Sequence, residues 1–247
     1  MPPMRLDQYL VKHGHFESRN RAQDAIKSGR VKVDGNRVIK AGFKVSEWSE
    51  VTAKAVHPYV SRGGLKLTGA LKTFGVNPSG KICLDIGAST GGFTDVLLKG
   101  GARHVYAVDV GHGQLHESLK SRDDVTMMEQ TDARDLREVD FLKRPEMIVC
   151  DASFISLSKL LGPSLAIPKT GGQLITLVKP QFEVGKAAVG RGGIVTSEVE
   201  ALQALSDVSA WVTAQGWHVE ATTDSPIKGG SRGGQGNKEF LLYAVKQ

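Results

Sequence analysis

From residue 81 onward, short apolar runs alternate with longer amphipathic ones, and this alternation restricts the fold more than any other feature of the chain. It predicts strands over 81–86, 104–109, 125–129, 146–151, 173–178, 217–222 and 239–245. Helical stretches such as "GFTDVLLKG", "GQLHESLKS" and "SEVEALQALSDVSAWVTAQG" lie between them. Strand–helix–strand units return to one sheet by right-handed crossovers, so the expected fold is α/β, an open and mostly parallel sheet of seven strands. Ligands of such sheets bind beyond the carboxyl ends of the strands, which makes the strand-ending residues the informative ones.

The first of these strands ends in "LDIGASTGGFT". A triphosphate loop needs Gly-Lys-Ser/Thr where the helix begins, and here Gly92 is followed by Phe93. A dinucleotide fingerprint fails as well, because Ser89 stands where its second glycine belongs. Asp85 precedes the first glycine by two residues; a carboxylate there repels a pyrophosphate and suits a cationic ligand. S-adenosylmethionine, with its ammonium and sulfonium, is such a ligand. Its expected binding residues are Asp85, Gly87, Ala88, Ser89, Gly91, Gly92 and Phe93. Asp109, ending the second strand, is placed for ribose hydroxyls, and Asp132, after the third, for an adenine amino group.

Charge separates the N-terminal part. Residues 1–62 hold 12 Lys+Arg against 6 Asp+Glu, whereas residues 63–247 hold 20 of each. A basic module implies a polyanionic partner. Within it, Leu6 and Leu10 share a helix face and Gly14 stops that helix. Ser18 caps a second helix, which presents Ala22 and Ile26 on one side and closes at Gly29. Val31 and Val33 then alternate with charged residues, Asp34-Gly35 marks a hairpin turn, and Val38-Ile39 begin the return. Arg5, Arg19, Arg21, Lys27, Arg30, Lys32, Arg37 and Arg62 are the expected contacts to a phosphate backbone; with few aromatics present, base stacking is not expected. The stretches "RLDQYL" and "SRNRAQDAIKSGRVKVDG" resemble the S-four-type RNA-binding domain. The expected division is an S-four-type domain over 4–57, a linker over 58–62, and a second domain over 63–247.

No apolar run approaches the length of a membrane helix, and the N-terminus lacks a signal-peptide core. A soluble cytoplasmic protein, working as a monomer, is expected. Cys83 and Cys150 lie in apolar runs without C-x-x-C spacing and read as buried strand residues; no metal site is expected.

The fourth strand ends "MIVCDASFIS" and the fifth "LITLVKPQFE", which puts Asp151 and Lys179 side by side. Here the chain resembles the TlyA (hemolysin A) family, an S-four-type module fused to an FtsJ-like, Rossmann-like methyltransferase domain. The resemblance implies a Lys-Asp-Lys-Glu set at Lys66, Asp151, Lys179 and Glu239, with Asp151 also beside the donor. It implies S-adenosylmethionine as donor, the 2′-hydroxyl of a cytidine ribose as acceptor, and ribosomal RNA or ribosomal subunits as partner. The compact ends resemble shorter members restricted to the large subunit. A lysine takes the hydroxyl proton when desolvation and neighbouring positive charge favour its neutral form. Lys179 is the expected base and Lys66 the second positive charge. Asp151 and Glu239 position the lysines, although their negative charge opposes that effect. Two glycine-rich stretches, around Lys186 and Arg191 and around Arg232 and Lys238, are expected to act as substrate lids that meet phosphate. The alternative is a non-enzymatic RNA-binding or ribosome-assembly factor that retains the fold; loss of any of the four polar residues would favour it, and all four are present. A membrane-lytic role has no support, because the chain lacks a basic amphipathic helix with exposed aromatics.

Overall fold

The computed structural model describes residues 3–185, 188–229 and 236–247. The chain forms two compact units that divide after Pro58.

The first unit runs β1 (Met4–Arg5), α1 (Leu6–Lys12), α2 (Arg19–Lys27), β2 (Val31–Val33), β3 (Asn36–Arg37), β4 (Lys44–Val45) and β5 (Val51–Ala53). Leu6, Leu10, Ala22, Ile26 and Val31 are fully buried together, as the helix periodicity requires. Ser18 caps α2, its hydroxyl accepting from the Arg21 amide. Asp34 (φ 51°) and Gly35 (φ 76°) both take the left-handed conformation that a tight hairpin turn demands. The return strand is Asn36–Arg37, earlier than expected. Val38 follows it with its amide bonded to the Val31 carbonyl, and Ile39 points to solvent. β5, too short to show a period, adds a third strand on the other edge of β2.

The second unit runs α3 (Gly64–Phe74), β6 (Ile82–Ile86), α4 (Gly92–Lys99), β7 (His104–Val108), α5 (Glu117–Lys120), β8 (Val125–Met128), β9 (Met147–Cys150), α6 (Leu157–Leu160), α7 (Gly162–Ala166), β10 (Gln173–Val178), α8 (Pro180–Glu183), α9 (Glu198–Ala214), β11 (Trp217–Asp224) and β12 (Phe240–Lys246). The sheet order is β11-β12-β10-β9-β6-β7-β8, with β12 antiparallel to both neighbours and the other pairings parallel. The seven strands match the sequence pattern, their ends shifted by at most two residues. Both faces are covered, so the central strands are apolar throughout. Leu84, Ile86, Ile148 and Cys150 pack on one side with Trp217, and Cys83, Val105, Met147 and Val149 pack on the other with Leu67 and Phe93. Cys83 and Cys150 are free and buried, and desolvation pushes both thiols up to about 12. Among the described residues no helix is long and apolar enough to cross a membrane.

Two expectations need correction. "GQLHESLKS" yields only the single turn of α5, because the Glu129 carboxylate accepts from the Gly113, Gln114 and Leu115 amides and holds that segment out of a helix. Residues 59–62 are not a free linker. The Val60 amide donates to Asp95 Oδ2 at 3.0 Å, and the Lys99 ammonium lies 5.3 Å from the Tyr59 ring centre. This strap leads into α3, where a side chain at Gly64 would come within 2.8 Å of the Tyr59 ring.

Candidate active site

The loop after β6 is closed in by three other segments, and its glycines admit them. A Cβ at Gly87 (φ 77°) would lie 3.1 Å from the Ala152 backbone. One at Gly91 would strike Leu115 and Leu119, and one at Gly92 would strike the Ser61 hydroxyl. Ser89 lines both of two adjoining cavities, Ala88, Gly92 and Phe93 line the larger one alone, and Gly91 is turned toward the two leucines and lines neither. Asp85 also differs from expectation. It shares the sheet face of Cys83, where α4 packs, so its carboxylate is buried under the loop and lies on neither cavity wall. Its Oδ2 accepts from the Thr94 amide at 2.9 Å and the Thr94 hydroxyl at 2.6 Å, which pins the first turn of α4. Burial raises its pKa to about 7.

The two cavities adjoin at the carboxyl end of the sheet and share Gly87, Ser89, Asp151, Ser153 and Phe154. The smaller, of about 470 Å³, is lined by Gly87, Ser89, Asp109, Val110, Asp132 and Leu160 among others. Asp109 accepts from the Ser89 amide at 2.8 Å and the Gly111 amide at 2.7 Å, so it shapes the wall as well as charging it. Asp132 reaches the same wall with its carboxylate paired to Arg134 (Nη2–Oδ2 2.6 Å), a hydrogen-bonded pair that lowers its pKa.

The larger cavity, of about 840 Å³, holds the four polar residues. Asp151 follows β9 and Lys179 follows the neighbouring parallel strand β10. Phe240 of β12 pairs with Val178, so antiparallel register sets Glu239 opposite Lys179. Lys66 enters from α3. The result is a continuous chain of ion pairs. Lys66 Nζ lies 2.6 Å from Glu239 Oε2 and 3.6 Å from Asp151 Oδ2, and Lys179 Nζ lies 2.5 Å from Asp151 Oδ1. Lys179 also donates to the Ser153 hydroxyl at 2.9 Å. Lys66, Lys179 and Glu239 are buried, which is tolerable because the two ammoniums and two carboxylates compensate one another. Ser153 has no signature in the sequence; only its contact with Lys179 reveals it. Phe154, 90% exposed and left-handed (φ 69°), stands where the cavities meet, with its ring centre 5.3 Å from that of Phe182.

The basic residues divide. Arg5 and Arg19 both bind the buried carboxylate of Asp7, at 3.0 and 2.9 Å, and Gln23 completes its shell at 2.8 Å. These two arginines therefore build the first unit, and their pairing holds Asp7 well below the usual carboxylate range. Arg21 pairs with Glu17 at 3.4 Å. Lys27, Arg30, Lys32 and Arg37 are exposed, and Lys32 and Arg37 are cross-strand neighbours. Arg62 instead lines the larger cavity. Lys238 is engaged by Glu198 and Asp224, each at 3.3 Å, rather than left free for phosphate, and Arg191 is exposed. Lys186 and Arg232 lie outside the described residues.

The sequence profile of FtsJ-like methyltransferases matches residues 59–246, and that of the S4 domain matches residues 4–51. The chain belongs to the FtsJ-like methyltransferases. It is 40% identical over 245 residues to the 16S/23S rRNA (cytidine-2′-O)-methyltransferase TlyA of Mycobacterium tuberculosis, covering 98% of this chain and 90% of that one. It is 35% identical over 265 residues to the 23S rRNA (cytidine-2′-O)-methyltransferase TlyA of Campylobacter jejuni, covering 98% and 100%. A solved chain from Streptococcus thermophilus superposes with a TM-score of 0.77 at 42% identity, covering 100% of this chain and 90% of that one. This FtsJ-like methyltransferase, with its N-terminal S4 domain, is thus of the TlyA kind, and its fold implies S-adenosylmethionine as donor.

Proposed function

We propose that this protein transfers a methyl group from S-adenosylmethionine to the 2′-hydroxyl of a cytidine ribose in ribosomal RNA. The observation that carries this reading is the buried Glu239–Lys66–Asp151–Lys179 chain at the junction of two cavities. The names of the M. tuberculosis and C. jejuni relatives support the acceptor.

The smaller cavity fits the donor. Its Gly87 face is bare, where any side chain would fill the space next to Ala152. The Asp109 oxygens keep lone pairs for ribose hydroxyls beyond the two amides they already accept from. Asp132 and Arg134 edge the part of the wall assigned to the base, and Val110 and Leu160 give it apolar area. The donor supplies an electrophilic methyl group carried on a sulfonium.

The larger cavity receives the acceptor nucleotide. Phe154 and Phe182 offer ring faces to a base taken out of its stack. Lys66, held by two carboxylates, orients the 2′ oxygen. At rest Lys179 is paired with Asp151 as an ammonium, and it acts as a base only after releasing that proton to solvent. Then, as the 2′ oxygen gains the methyl group and the carbon–sulfur bond to the sulfonium breaks, the hydroxyl proton passes to the neutral Lys179 Nζ, and Asp151 and Ser153 stabilise the ammonium formed again. Positioning of acceptor against donor supplies much of the rate. Lys27, Arg30, Lys32 and Arg37 attract the RNA through its phosphates. One chain carries every group this chemistry needs, which suits a monomer acting in the cytoplasm, where ribosomal RNA is found.

The test is transfer of labelled methyl groups into separately purified small and large ribosomal subunits, followed by mapping of the modified ribose. Label confined to cytidine 2′-oxygens supports the assignment, and the labelled subunit shows which rRNA is the substrate. Binding of subunits without transfer would identify an assembly factor instead.

A further inference from the structure

Residues 190–195, between α8 and α9, form a loop with little means of holding its own shape. Gly192 and Gly193 both sit at φ 76°, and within the loop the backbone closes through the Gly190 amide to the Ile194 carbonyl at 2.9 Å and the Gly193 amide to the Gly190 carbonyl at 3.1 Å. Glycines carry no side chains to pack, and their order is entropically expensive. Yet Gly192 and Gly193 form part of the wall of the larger cavity, together with Asn237 and Glu239.

Asn237 supplies the missing restraint. It is 8% exposed. Its Oδ1 accepts from the Val195 amide at 2.9 Å, and its Nδ2 donates to the Gly193 carbonyl at 2.8 Å. The side-chain amide thus acts as a strand partner would, taking one donor and one acceptor from the loop backbone. Its own carbonyl accepts from the Gly229 amide at 3.0 Å on the approach to the other glycine-rich stretch. A buried amide is stabilising only when both ends are satisfied, and here both are. An apolar residue of the same size would fill the space but could not hold the loop.

We propose that Asn237 is a positioning residue for methyl transfer: it fastens the 193–195 segment to the approach to β12, two residues before Glu239, so that the acceptor wall and the Lys66–Glu239 pair keep one fixed geometry. This inference rests on the RNA reading above and concerns alignment of the acceptor ribose, not donor binding or the initial capture of RNA. Misplacement of a reacting group by about 1 Å costs on the order of 10²-fold in rate, so a loosened wall has a measurable cost.

The experiment compares the full-length protein with Asn237→Ala and Val195→Pro. The second substitution removes the same hydrogen bond from the loop side, and Ile194 (φ −103°, ψ 130°) already has a backbone conformation that accepts a following proline. Val195→Ala keeps the amide and serves as control. Single-turnover methyl transfer at saturating ribosomal subunits should fall about 10- to 100-fold in both clamp-breaking variants. Affinities for S-adenosylmethionine and for the subunits should stay within about twofold. Amide hydrogen exchange should speed up over residues 190–195 and stay unchanged over β12. Val195→Ala should transfer at the parental rate. A rate within about twofold of the parent in both clamp-breaking variants, with faster loop exchange, would overturn the inference; so would a loss of donor affinity that matches the loss of rate. If the parent protein transfers no methyl group at all, the proposed function fails first; if it does and the variants match it, the clamp inference alone fails.

Discussion

Lys66 Nζ bridges Glu239 Oε2 at 2.6 Å and Asp151 Oδ2 at 3.6 Å, so one helix-borne ammonium joins carboxylates delivered by two different strands. Removing it leaves Glu239, 3% exposed, beside a second carboxylate with no cation between them. Lys66→Met should therefore destabilise the second unit by roughly 3–5 kcal/mol, the usual cost of breaking a buried pair from one side. Chemical denaturation followed by tryptophan fluorescence measures this, and a double variant Lys66→Met/Glu239→Gln should recover part of the loss.

The Asp85 carboxyl gives a pH signature. Burial raises its pKa to about 7 in the folded protein, so between the ordinary carboxylate range and pH 7 the folded state holds a proton that the unfolded chain has released. The contribution of this group to stability is therefore fully present below the ordinary carboxylate range, declines as pH rises through about 7, and levels off above it. Asp85→Asn keeps an acceptor for the Thr94 amide and removes the titration. Relative to the parent, its unfolding free energy should gain by an amount on the order of a few kcal/mol at pH 8 and show little gain at pH 4. Equal pH dependence in the two proteins would exclude an Asp85 with a raised pKa.

The basic residues should sort into two classes. Arg5→Ala and Arg19→Ala each take a partner from buried Asp7 and should lower the melting temperature of the first unit. Lys32→Ala and Arg37→Ala, exposed neighbours on β2 and β3, should leave that temperature unchanged. Each should reduce the slope of log affinity for ribosomal RNA against log salt by about one phosphate contact. Thermal melts and binding titrations at several salt concentrations separate the classes.

Gly87→Ala should abolish donor binding with modest loss of fold. The added Cβ would lie 3.1 Å from the Ala152 backbone, at a φ of 77° that alanine rarely adopts. Calorimetric titration with S-adenosylmethionine checks this; unchanged affinity would remove Gly87 from the donor site.

The sheet was legible because its strands are apolar runs long enough to show a period, and strand ends such as Asp109, Asp151 and Lys179 then fell at one edge. What escaped depended on side-chain pairing that the apolar pattern does not encode. Nothing local marks Asp85 as facing Thr94, and nothing in "MRLDQYL" marks Asp7 as the buried hub that takes Arg5 and Arg19 out of the exposed set. The strap 59–62 reads as a linker because Pro58 before it and Gly63-Gly64 after it resemble loop composition, while its anchor, Asp95, lies within a helix one turn past the glycine loop. α5 failed as a full helix because of Glu129, a residue on the far side of β8. Burial of charge, in each case, was decided by tertiary pairing that periodicity does not encode.

Lys179→Arg is the most direct test of the reaction proposed. Arginine keeps the resting ion pair with Asp151 and does not deprotonate in proteins, so it leaves the resting charges in place and removes the proton acceptor. Single-turnover methyl transfer to pre-bound ribosomal subunits, with donor and RNA affinities confirmed separately, should fall by about 10²–10⁴-fold, the usual contribution of a general base. A variant retaining more than about a tenth of the parental rate would contradict the assignment, because a loss that small lies below the low end of that range and leaves the proton to another group.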